Sequence, residues 1–456
     1  MIASKRSPAN PETVLKIGDA LIRSKLEYGA SIYGKAAKTN LSKLETTLNA
    51  YTRSAMRYLK STPVNTMLAE TGRTPMTIRT EWLTLREAIR MKYHEDPNKR
   101  FTSNNSYLTE VADLHNDVLH QTGSRGLDSK QEISEWTLSR QDINTRIGRP
   151  TQKKENTNKE VLRTQVLELL QTKYKDYYKI YTDASKTAMG TAIAFVDTQN
   201  NSQVARKINE NYSIMNAELL AIREALRYTQ EKQLDRVVIL TDSKSACEAI
   251  KNTENANDNF LVFDINQLRN QLIQRNIKIQ WIPSHIDVRG NDLADRAAVQ
   301  ATTQRQDMFV GLTLGDTLRL AKKEIWSKWT RLYQEISTEK GKYRFQIQNE
   351  PGTTIWCQKM DLSTHEKIML SRIRSGHSLT KDRKYTWKWA DTENCDTCGA
   401  KEDIEHILYH CSKYNNIRAK HDILINQKPL NEILKEGSEE EYKSITKFLT
   451  EGKIAI

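Results

Sequence analysis

The sequence is poor in cysteine and has no long apolar segment. It contains five cysteines in 456 residues, too few for the dense disulfide framework of a small secreted protein. Its first residues, MIASKRSPANPE, lack the apolar core of a secretory signal, and no apolar run approaches the roughly 18 residues of a membrane span. These absences predict a protein that does not enter a membrane. They also predict a reducing, intracellular location, in the cytoplasm, the nucleus or both.

The charge balance is basic. Lys and Arg number 70 against 57 Asp and Glu, which gives a formal net charge of +13. An excess of positive charge favours a polyanionic partner, of which nucleic acid is the commonest, although simple solubility is the alternative explanation. A chain of 456 residues has room for roughly two to four domains.

The hydrophobic pattern changes along the chain. Apolar residues at three-to-four spacing predict helices near the N-terminus, and a polar, turn-rich stretch follows them. Three strand patterns and then alternating helix and strand patterns predict a mixed sheet with flanking helices, an α/β fold. The predicted organisation is residues 1–95 helical, 96–173 linker or connection, 174–303 the α/β domain, 304–350 a helical connector, 351–425 a Cys/His-containing helical region, and 426–456 a helical tail.

Four acidic residues occupy positions that suit metal chemistry. Asp183 ends the first predicted strand, and Asp242 ends the strand RVVILTD. Glu218 lies in the first turns of one helix, and Asp295 lies on the last helix of the domain. Ligand sites in open sheets usually lie at strand carboxyl ends, and carboxylates suit Mg²⁺ or Mn²⁺, two of which can clamp a phosphodiester. Each residue alone also has an ordinary explanation as a turn residue, a solvated charge or a helix N-cap.

The blocks YTDAS, NAELLAI, LTDSKSA and WIPSHIDVRGNDLADRAA occur in this order between residues 174 and 302. They resemble the four motif blocks of type 1 ribonuclease H, over less than a third of the chain. The resemblance implies a ribonuclease H-like fold that cuts the RNA strand of RNA–DNA hybrids with two metal ions. It implies metal ligands at Asp183, Glu218, Asp242 and Asp295. It also implies that His285, in the loop before the last helix, handles protons or product, since an imidazole titrates near neutral pH; otherwise His285 is a surface residue.

Two positions depart from the family pattern. Asp287 stands where relatives often carry glycine, and Asp292 where they often carry glutamate. Neither removes a mapped ligand, and Asp292, three residues before Asp295, is either a secondary ligand or an added negative charge. Selectivity for the hybrid requires 2′-hydroxyls on one strand to be distinguished from deoxyribose on the other. The small polar side chains predicted by position to contact the nucleic acid are Ser185, Asn216 and Ser243.

Residues 395–411 read CDTCGAKEDIEHILYHC. The three thiols and one imidazole of C-x2-C-x7-H-x4-C suit a closed, tetrahedral zinc site of the structural kind. The predicted ligands are Cys395, Cys398, His406 and Cys411. His410 lies four residues after His406 on a predicted helix, so either histidine could face the metal, and His406 is preferred. The alternative is a few reduced cysteines in a helical region.

The Cys/His segment resembles the zinc-binding region that ends many non-LTR (LINE-like) retrotransposon polyproteins. Residues 1–95, with IRSKLEYGASIYG and LNAYTRSAMRYL, resemble the helical, thumb-like segment that follows the reverse-transcriptase palm. The palm itself is not predicted, because no adjacent Asp-Asp pair occurs. The resemblance implies removal of template RNA during reverse transcription. It implies nucleic acid, and other parts of such a polyprotein, as partners.

The segment LSRIRSGHSLTKDRKYTWKWADTENC interleaves Arg and Lys with Tyr385, Trp387 and Trp389. Such a tract either stacks bases and holds phosphates or forms a partly exposed core strip whose Lys and Arg stems lie along apolar surface. Three functions therefore remain open. The chain is a hybrid ribonuclease, a catalytically inactive nucleic-acid-binding remnant of a retroelement polyprotein, or an assembly module that joins polyprotein parts.

Overall fold

The computed structural model describes residues 9–94, 103–123, 142–147, 158–252, 254, 257–421, 426 and 428–456. Within these residues the helices are α1 (Pro11–Gly18), α2 (Ser24–Glu27), α3 (Ala30–Tyr33), α4 (Lys38–Met56), α5 (Val64–Glu70), α6 (Met76–Tyr93), α7 (Ser106–Leu114), α8 (Asn116–His120), α9 (Lys159–Gln171), α10 (Ile214–Glu231), α11 (Lys244–Lys251), α12 (Phe260–Gln271), α13 (Arg289–Ala301), α14 (Leu314–Ser337), α15 (Lys342–Ile347), α16 (Thr364–Ser375), α17 (Lys381–Thr386), α18 (Asn415–Arg418), α19 (Leu430–Glu436) and α20 (Glu439–Glu451). The strands are β1 (Ile143–Asn144), β2 (Tyr178–Thr187), β3 (Gly190–Asp197), β4 (Ser202–Ile208), β5 (Val237–Thr241) and β6 (Lys278–Trp281).

The chain divides into two compact units, each with its own apolar core. One unit is Met1–Thr84 with Lys323–Ile456, and the other is Leu85–Lys322. The second unit contains one mixed sheet with the strand order β1-β6-β5-β2-β3-β4. The first four strands in this order are parallel, and β3 and β4 are antiparallel to their neighbours. This architecture confirms the predicted mixed sheet with flanking helices.

The centre of the sheet is covered on both faces. Strand β5, with the sequence VVILT, is buried along its whole length, as expected of a central parallel strand. The helix α9 contributes Leu162 and Val166 to a core cluster that also contains Tyr181 of β2 and Leu240 of β5. The outer strand β4 is only partly buried, because it has a partner on one side. The buried centre holds the middle of β2, where Asp183 lies, and the end of β5 in fixed positions. Asp183 was predicted to end its strand, but β2 continues to Thr187 because it stays paired with β3.

The core of the first unit is built mainly by its C-terminal helices. Apolar residues of α15, α16, α19 and α20 form one cluster with the Ile407–Tyr409 segment. Glu70 of α5 is fully buried between Arg344 and Arg374, with N–O distances of 2.8 and 2.6 Å. Burial raises the pKa of Glu70, but the guanidinium groups of Arg374 and Arg344 outweigh it and hold this pKa below its usual range. This buried triad connects segments far apart in sequence, and losing one partner would leave an uncompensated buried charge.

The segment 96–173, predicted to be a linker or connection, contains regular structure in its described part. It carries α7, α8 and α9, and β1 adds a parallel strand next to β6. In the polar stretch that supported the linker prediction, residues 148–157 lie outside the described residues. The spacing of apolar residues in α9 indicates a helix but not what the helix packs against. Its packing against the sheet depends on tertiary contacts. Among the described residues, no helix is both long enough and apolar enough to cross a membrane.

Candidate functional site

Three carboxylates meet where β2 and β5 lie side by side. Asp183, Glu218 and Asp242 each place a carboxylate oxygen within 4.8 Å of the others. Strands β2 and β5 are parallel and paired up to the residue before each aspartate, so the two aspartates emerge next to each other. Glu218 reaches the same place from the beginning of α10. The sequence blocks therefore deliver three predicted ligands to one location.

The backbone of Asp242 is held by a residue that no sequence motif assigns to the site. The indole N–H of Trp281, at the end of β6, donates to the Asp242 carbonyl over 3.0 Å. The ring of Trp281 is almost fully buried, and the Lys244 ammonium lies 5.6 Å from its centre. Because β6 pairs with β5 in parallel, Trp281 lies beside the end of β5. In the sequence, Trp281 stands out only as part of the WIPSH block. Its role in holding Asp242 follows from the pairing of β6 with β5.

The carboxylate group is electrostatically strained without a cation. The pKa of Asp183 is raised from 3.8 to about 8, first by burial and then by the charges of Asp242 and Asp295. Burial and the charges of Asp183 and Asp242 likewise raise the pKa of Glu218 well above its usual value. Among the described residues, Oε2 of Glu218 is buried with no hydrogen-bond partner. A divalent cation would satisfy this oxygen and neutralise the repulsion, and hard oxygen donors fit Mg²⁺ or Mn²⁺.

Asp295 joins this electrostatic group through Asp183. It lies on α13, is partly buried, and is not one of the three residues whose oxygens meet within 4.8 Å. Its charge and a side-chain hydrogen bond nevertheless raise the pKa of Asp183. Asp292 lies in the first turn of the same helix and is also partly buried. Within the described residues, the structure does not bring Asp292 into the carboxylate group.

The loop between β6 and α13 carries two residues with a left-handed backbone. His285 has φ 58° and Asp287 has φ 56°. This region favours glycine and is tolerated better by aspartate than by most residues. The backbone therefore explains why Asp287 occupies a position where relatives often carry glycine. Asp287 also forms an exposed ion pair of 3.0 Å with Lys159 of α9, and the His285 side chain is exposed.

The three residues predicted to contact nucleic acid occupy different environments. Ser185 lies two residues after Asp183 on β2 and is partly exposed. Ser243 is partly exposed and caps α11, since its hydroxyl accepts the backbone N–H of Ala246. Asn216 is buried, and its amide makes three hydrogen bonds within the protein. Ser185 and Ser243 are therefore available to a ligand, whereas Asn216 would have to exchange an internal hydrogen bond.

The four predicted sulfur and nitrogen donors of the second cluster come together. Cys395, Cys398, His406 and Cys411 each place a donor atom within 4.8 Å of the others. The Cys411 sulfur lies 3.7 Å from each of the other two sulfurs, close to the roughly 3.8 Å expected for tetrahedral ligands about 2.3 Å from zinc. Among the described residues, Nε2 of buried His406 has no hydrogen-bond partner, whereas His410 is exposed. The donor set thus fits zinc and includes His406 rather than His410.

Local backbone structure positions these donors. Gly399, with φ +69°, turns the chain after Cys398, and its N–H donates to the Cys395 carbonyl over 2.9 Å. Residues His406–His410 form a π-helical turn. The guanidinium of Arg418 donates to the Cys411 carbonyl over 2.9 Å and also to two carbonyls of this turn. Arg418 was not predicted to take part in the site, because no spacing rule relates it to the cysteines.

The mixed sheet and the converging carboxylates define a ribonuclease H-like α/β fold, as predicted. Residues 175–303 match the family model for RNase H. Residues 328–417 match the family model described as zinc-binding in reverse transcriptase. The chain therefore contains an RNase H domain in a retroelement-type polyprotein. This domain implies a ribonuclease that uses divalent metal and binds nucleic acid, and the second match implies zinc. A comparison with curated proteins gives no match.

Proposed function

We propose that residues 174–303 hydrolyse the RNA strand of RNA–DNA hybrids endonucleolytically, with two Mg²⁺ or Mn²⁺ ions. The observation that supports this most directly is the convergence of Asp183, Glu218 and Asp242 inside the segment that matches RNase H. The raised pKa of Asp183 supports it further, because a buried cluster of like charges is costly unless cations occupy it.

In this proposal Asp183, Glu218, Asp242 and Asp295 hold the cations. The chemistry that such cations would supply is activation of water at neutral pH and stabilisation of the departing oxygen of the phosphodiester. Trp281 keeps Asp242 in position through its backbone carbonyl. The exposed imidazole of His285 can accept and donate a proton, and we assign to it the handling of protons or product.

The proposed biological setting is reverse transcription by a non-LTR retrotransposon. The ribonuclease would remove template RNA after first-strand synthesis, and the zinc site would be structural. The proposed partners are the RNA–DNA hybrid and other parts of the polyprotein, including a polymerase for which residues 1–95 supply a thumb-like segment. We place this activity inside the cell, in the cytoplasm, the nucleus or both.

The test is a cleavage assay with the full chain on a labelled RNA–DNA hybrid. It compares wild-type protein in Mg²⁺, in EDTA and without added divalent cation. The Asp242→Asn variant should lose at least about 1,000-fold in rate, because the cations lose one of their charged ligands. The matched control is Asp235→Asn, whose side chain is 74% exposed and should keep wild-type activity.

Duplex RNA and duplex DNA serve as substrate controls. Metal-dependent cutting of only the RNA in the hybrid, lost in Asp242→Asn and kept in Asp235→Asn, supports the proposal. If folded wild-type protein does not cut the hybrid with Mg²⁺ or Mn²⁺, the catalytic proposal is wrong. The chain would then be a nucleic-acid-binding remnant.

A further inference from the structure

A surface of exposed and partly exposed aromatic and basic side chains surrounds the end of α17, next to the Cys/His cluster in sequence. We call it the aromatic–basic surface and define it by Arg383, Lys384, Tyr385, Trp387, Lys388 and Trp389. The carboxylate site does not use it, since these residues belong to the unit that carries the zinc-type site. The sequence left open whether this tract forms a core strip or a binding surface.

The aromatic rings form a short stack that ends in solvent. His377 lies nearly parallel to Trp387, with ring centres 6.0 Å apart and an interplanar angle of 21°. Trp387 meets Trp389 edge to face at 5.2 Å. Trp389 is 69% exposed and Tyr385 is 49% exposed. A core strip would bury its outermost rings, so the exposure of Trp389 and Tyr385 favours a binding surface.

The positive charges of this surface are only partly neutralised. Among the described residues, the ion pair of this surface joins Arg383 to Asp382 at 3.6 Å, and the neighbouring Lys381 pairs with Asp396. Lys384 is not among these pairs, and neither is Lys388. The pKa of His377 is lowered to about 4, first by burial and then by the guanidinium groups of Arg383 and Arg53. The imidazole is therefore neutral near pH 7, and the local potential disfavours further positive charge.

Lys388 occupies a backbone position at which helices commonly place glycine. Its φ is 60°, its N–H donates to the Tyr385 carbonyl, and the N–H of Trp389 donates to the Lys384 carbonyl over 2.7 Å. These two hydrogen bonds are those of a Schellman motif, whose left-handed residue is usually glycine. A lysine in this left-handed position is strained. The motif also turns Trp389 outward beside two lysines.

We propose that the aromatic–basic surface binds single-stranded nucleic acid. Unpaired bases stack on Trp389 and Tyr385, and the phosphates contact Lys384, Lys388 and Arg383. Interleaved aromatic and basic side chains are the general means of holding single strands without sequence preference. A duplex presents phosphates, but its base faces are already stacked, so it engages the lysines without the rings. This binding goes beyond the proposed hydrolysis, because it requires neither the carboxylates nor cleavage.

The test measures binding of fluorescent single-stranded RNA, single-stranded DNA and duplex DNA to the full, zinc-containing chain by anisotropy. Trp389→Ala should weaken single-strand binding about 5- to 100-fold, the range for losing one stacked base. The matched control is Tyr28→Ala, because Tyr28 is a 95% exposed aromatic residue elsewhere in the same unit. Tyr28→Ala should leave single-strand affinity unchanged, and Trp389→Ala should change duplex affinity little.

A second variant, Lys388→Gly, tests the contribution of a lysine charge to binding separately from that of the aromatic rings. Lys388→Gly suits the left-handed turn and should therefore keep or raise thermal stability. It should reduce the salt dependence of single-strand binding by roughly 0.7 in the slope of log K against log salt concentration. A wild-type slope in Lys388→Gly, or a wild-type affinity in Trp389→Ala, would overturn the proposal. The surface would then serve a protein contact.

The outcome can be separated from that of the hydrolysis proposal. Binding is measured in the Asp242→Asn variant as well as in the wild type, and the two should agree. Loss of hybrid cleavage with retained Trp389-dependent binding would leave this inference intact. Normal cleavage with no effect of Trp389→Ala on single-strand affinity would overturn only this inference. RNA and DNA single strands should bind within about 10-fold of each other, because stacking does not read the 2′-hydroxyl.

Discussion

The carboxylate site and the Cys/His site are both clusters of metal-type donors, but they are built in opposite ways. Asp183, Glu218 and Asp242 come from three separate elements of a sheet domain. The Cys/His donors come from seventeen consecutive positions, residues 395–411. The first group consists of like charges on a rigid, buried scaffold. The second group lies on turns and a short π-helical segment, of which Ile407–Tyr409 pack into the core of their unit.

This difference indicates what each metal does. A sheet domain with its own core keeps its fold when cations leave, so its cations can be exchanged and used in chemistry. A small region held by four donors obtains folding free energy from the metal, as structural zinc sites do. The backbone shows the same contrast. The left-handed turn after Cys398 is occupied by Gly399, whereas the loop between β6 and α13 places His285 and Asp287 in left-handed conformations.

The largest expected effect comes from removing a zinc-type ligand. Cys411→Ser should lower the free energy of unfolding of its unit on the order of 5 kcal/mol or more, because metal binding there is coupled to folding. Urea unfolding followed by tryptophan fluorescence measures this, and metal analysis of the purified protein should show loss of bound zinc. The matched control is Cys357→Ser. This cysteine is buried and donates to Glu12 over 3.5 Å, a contact that serine can replace.

Cys357→Ser should cost no more than about 2 kcal/mol and should leave the zinc content unchanged. Equal unfolding midpoints for Cys411→Ser and the wild type would contradict the assignment of a structural metal to this cluster. The contrast between the two metal sites would then be lost.

An intermediate effect is expected from pH in the carboxylate site. The folded-state pKa of Asp183, about 8, lies above its usual 3.8, so the folded protein binds more protons than the unfolded chain between these values. Stability from this group is therefore complete below about pH 4 and is lost as pH rises through about 8. In buffer free of Mg²⁺ and Mn²⁺, the wild type should lose up to ~1.4 kcal/mol of stability per pH unit across this window.

Asp183→Asn should flatten that pH dependence, because the neutral amide has no proton to lose. Adding Mg²⁺ at pH 8 should raise the melting temperature of the wild type but not that of Asp183→Asn. Asp235→Asn is again the matched control and should follow the wild type. A wild-type stability that rises between pH 4 and 8, with no difference from Asp183→Asn, would show that the cluster is not repulsive.

The smallest effect concerns the two turns. Gly399→Ala should cost about 1 kcal/mol, because φ +69° is unfavourable for alanine while the added Cβ meets no atom within 4 Å. Asp287→Gly should change stability by less than about 0.5 kcal/mol, since aspartate tolerates φ 56°. Both values come from thermal unfolding. If Asp287→Gly lowers stability more than Gly399→Ala does, the left-handed turn at Gly399 does not require glycine more than the one at Asp287.

Much of each site could be predicted, and the two clusters show why. The zinc-type donors are local, so spacing alone identified them, although spacing left His406 and His410 as alternatives. The carboxylates are spread over more than a hundred residues, and ordered motif blocks were needed to relate them. Neither route could identify Trp281 or Arg418, whose roles depend on a backbone carbonyl brought near by folding. The packing of α9 against the sheet was missed for the same reason.

The sequence by itself determined the chemical types of the donors, their order, and the alternation of strand and helix. These properties are carried by residue identity and by local periodicity. Only the tertiary structure decided that three carboxylates meet within 4.8 Å of one another while Asp295 joins them through Asp183. It also decided that His406 faces the cysteines and that Glu70 is enclosed by Arg344 and Arg374. These outcomes depend on contacts between distant residues, which local spacing does not encode.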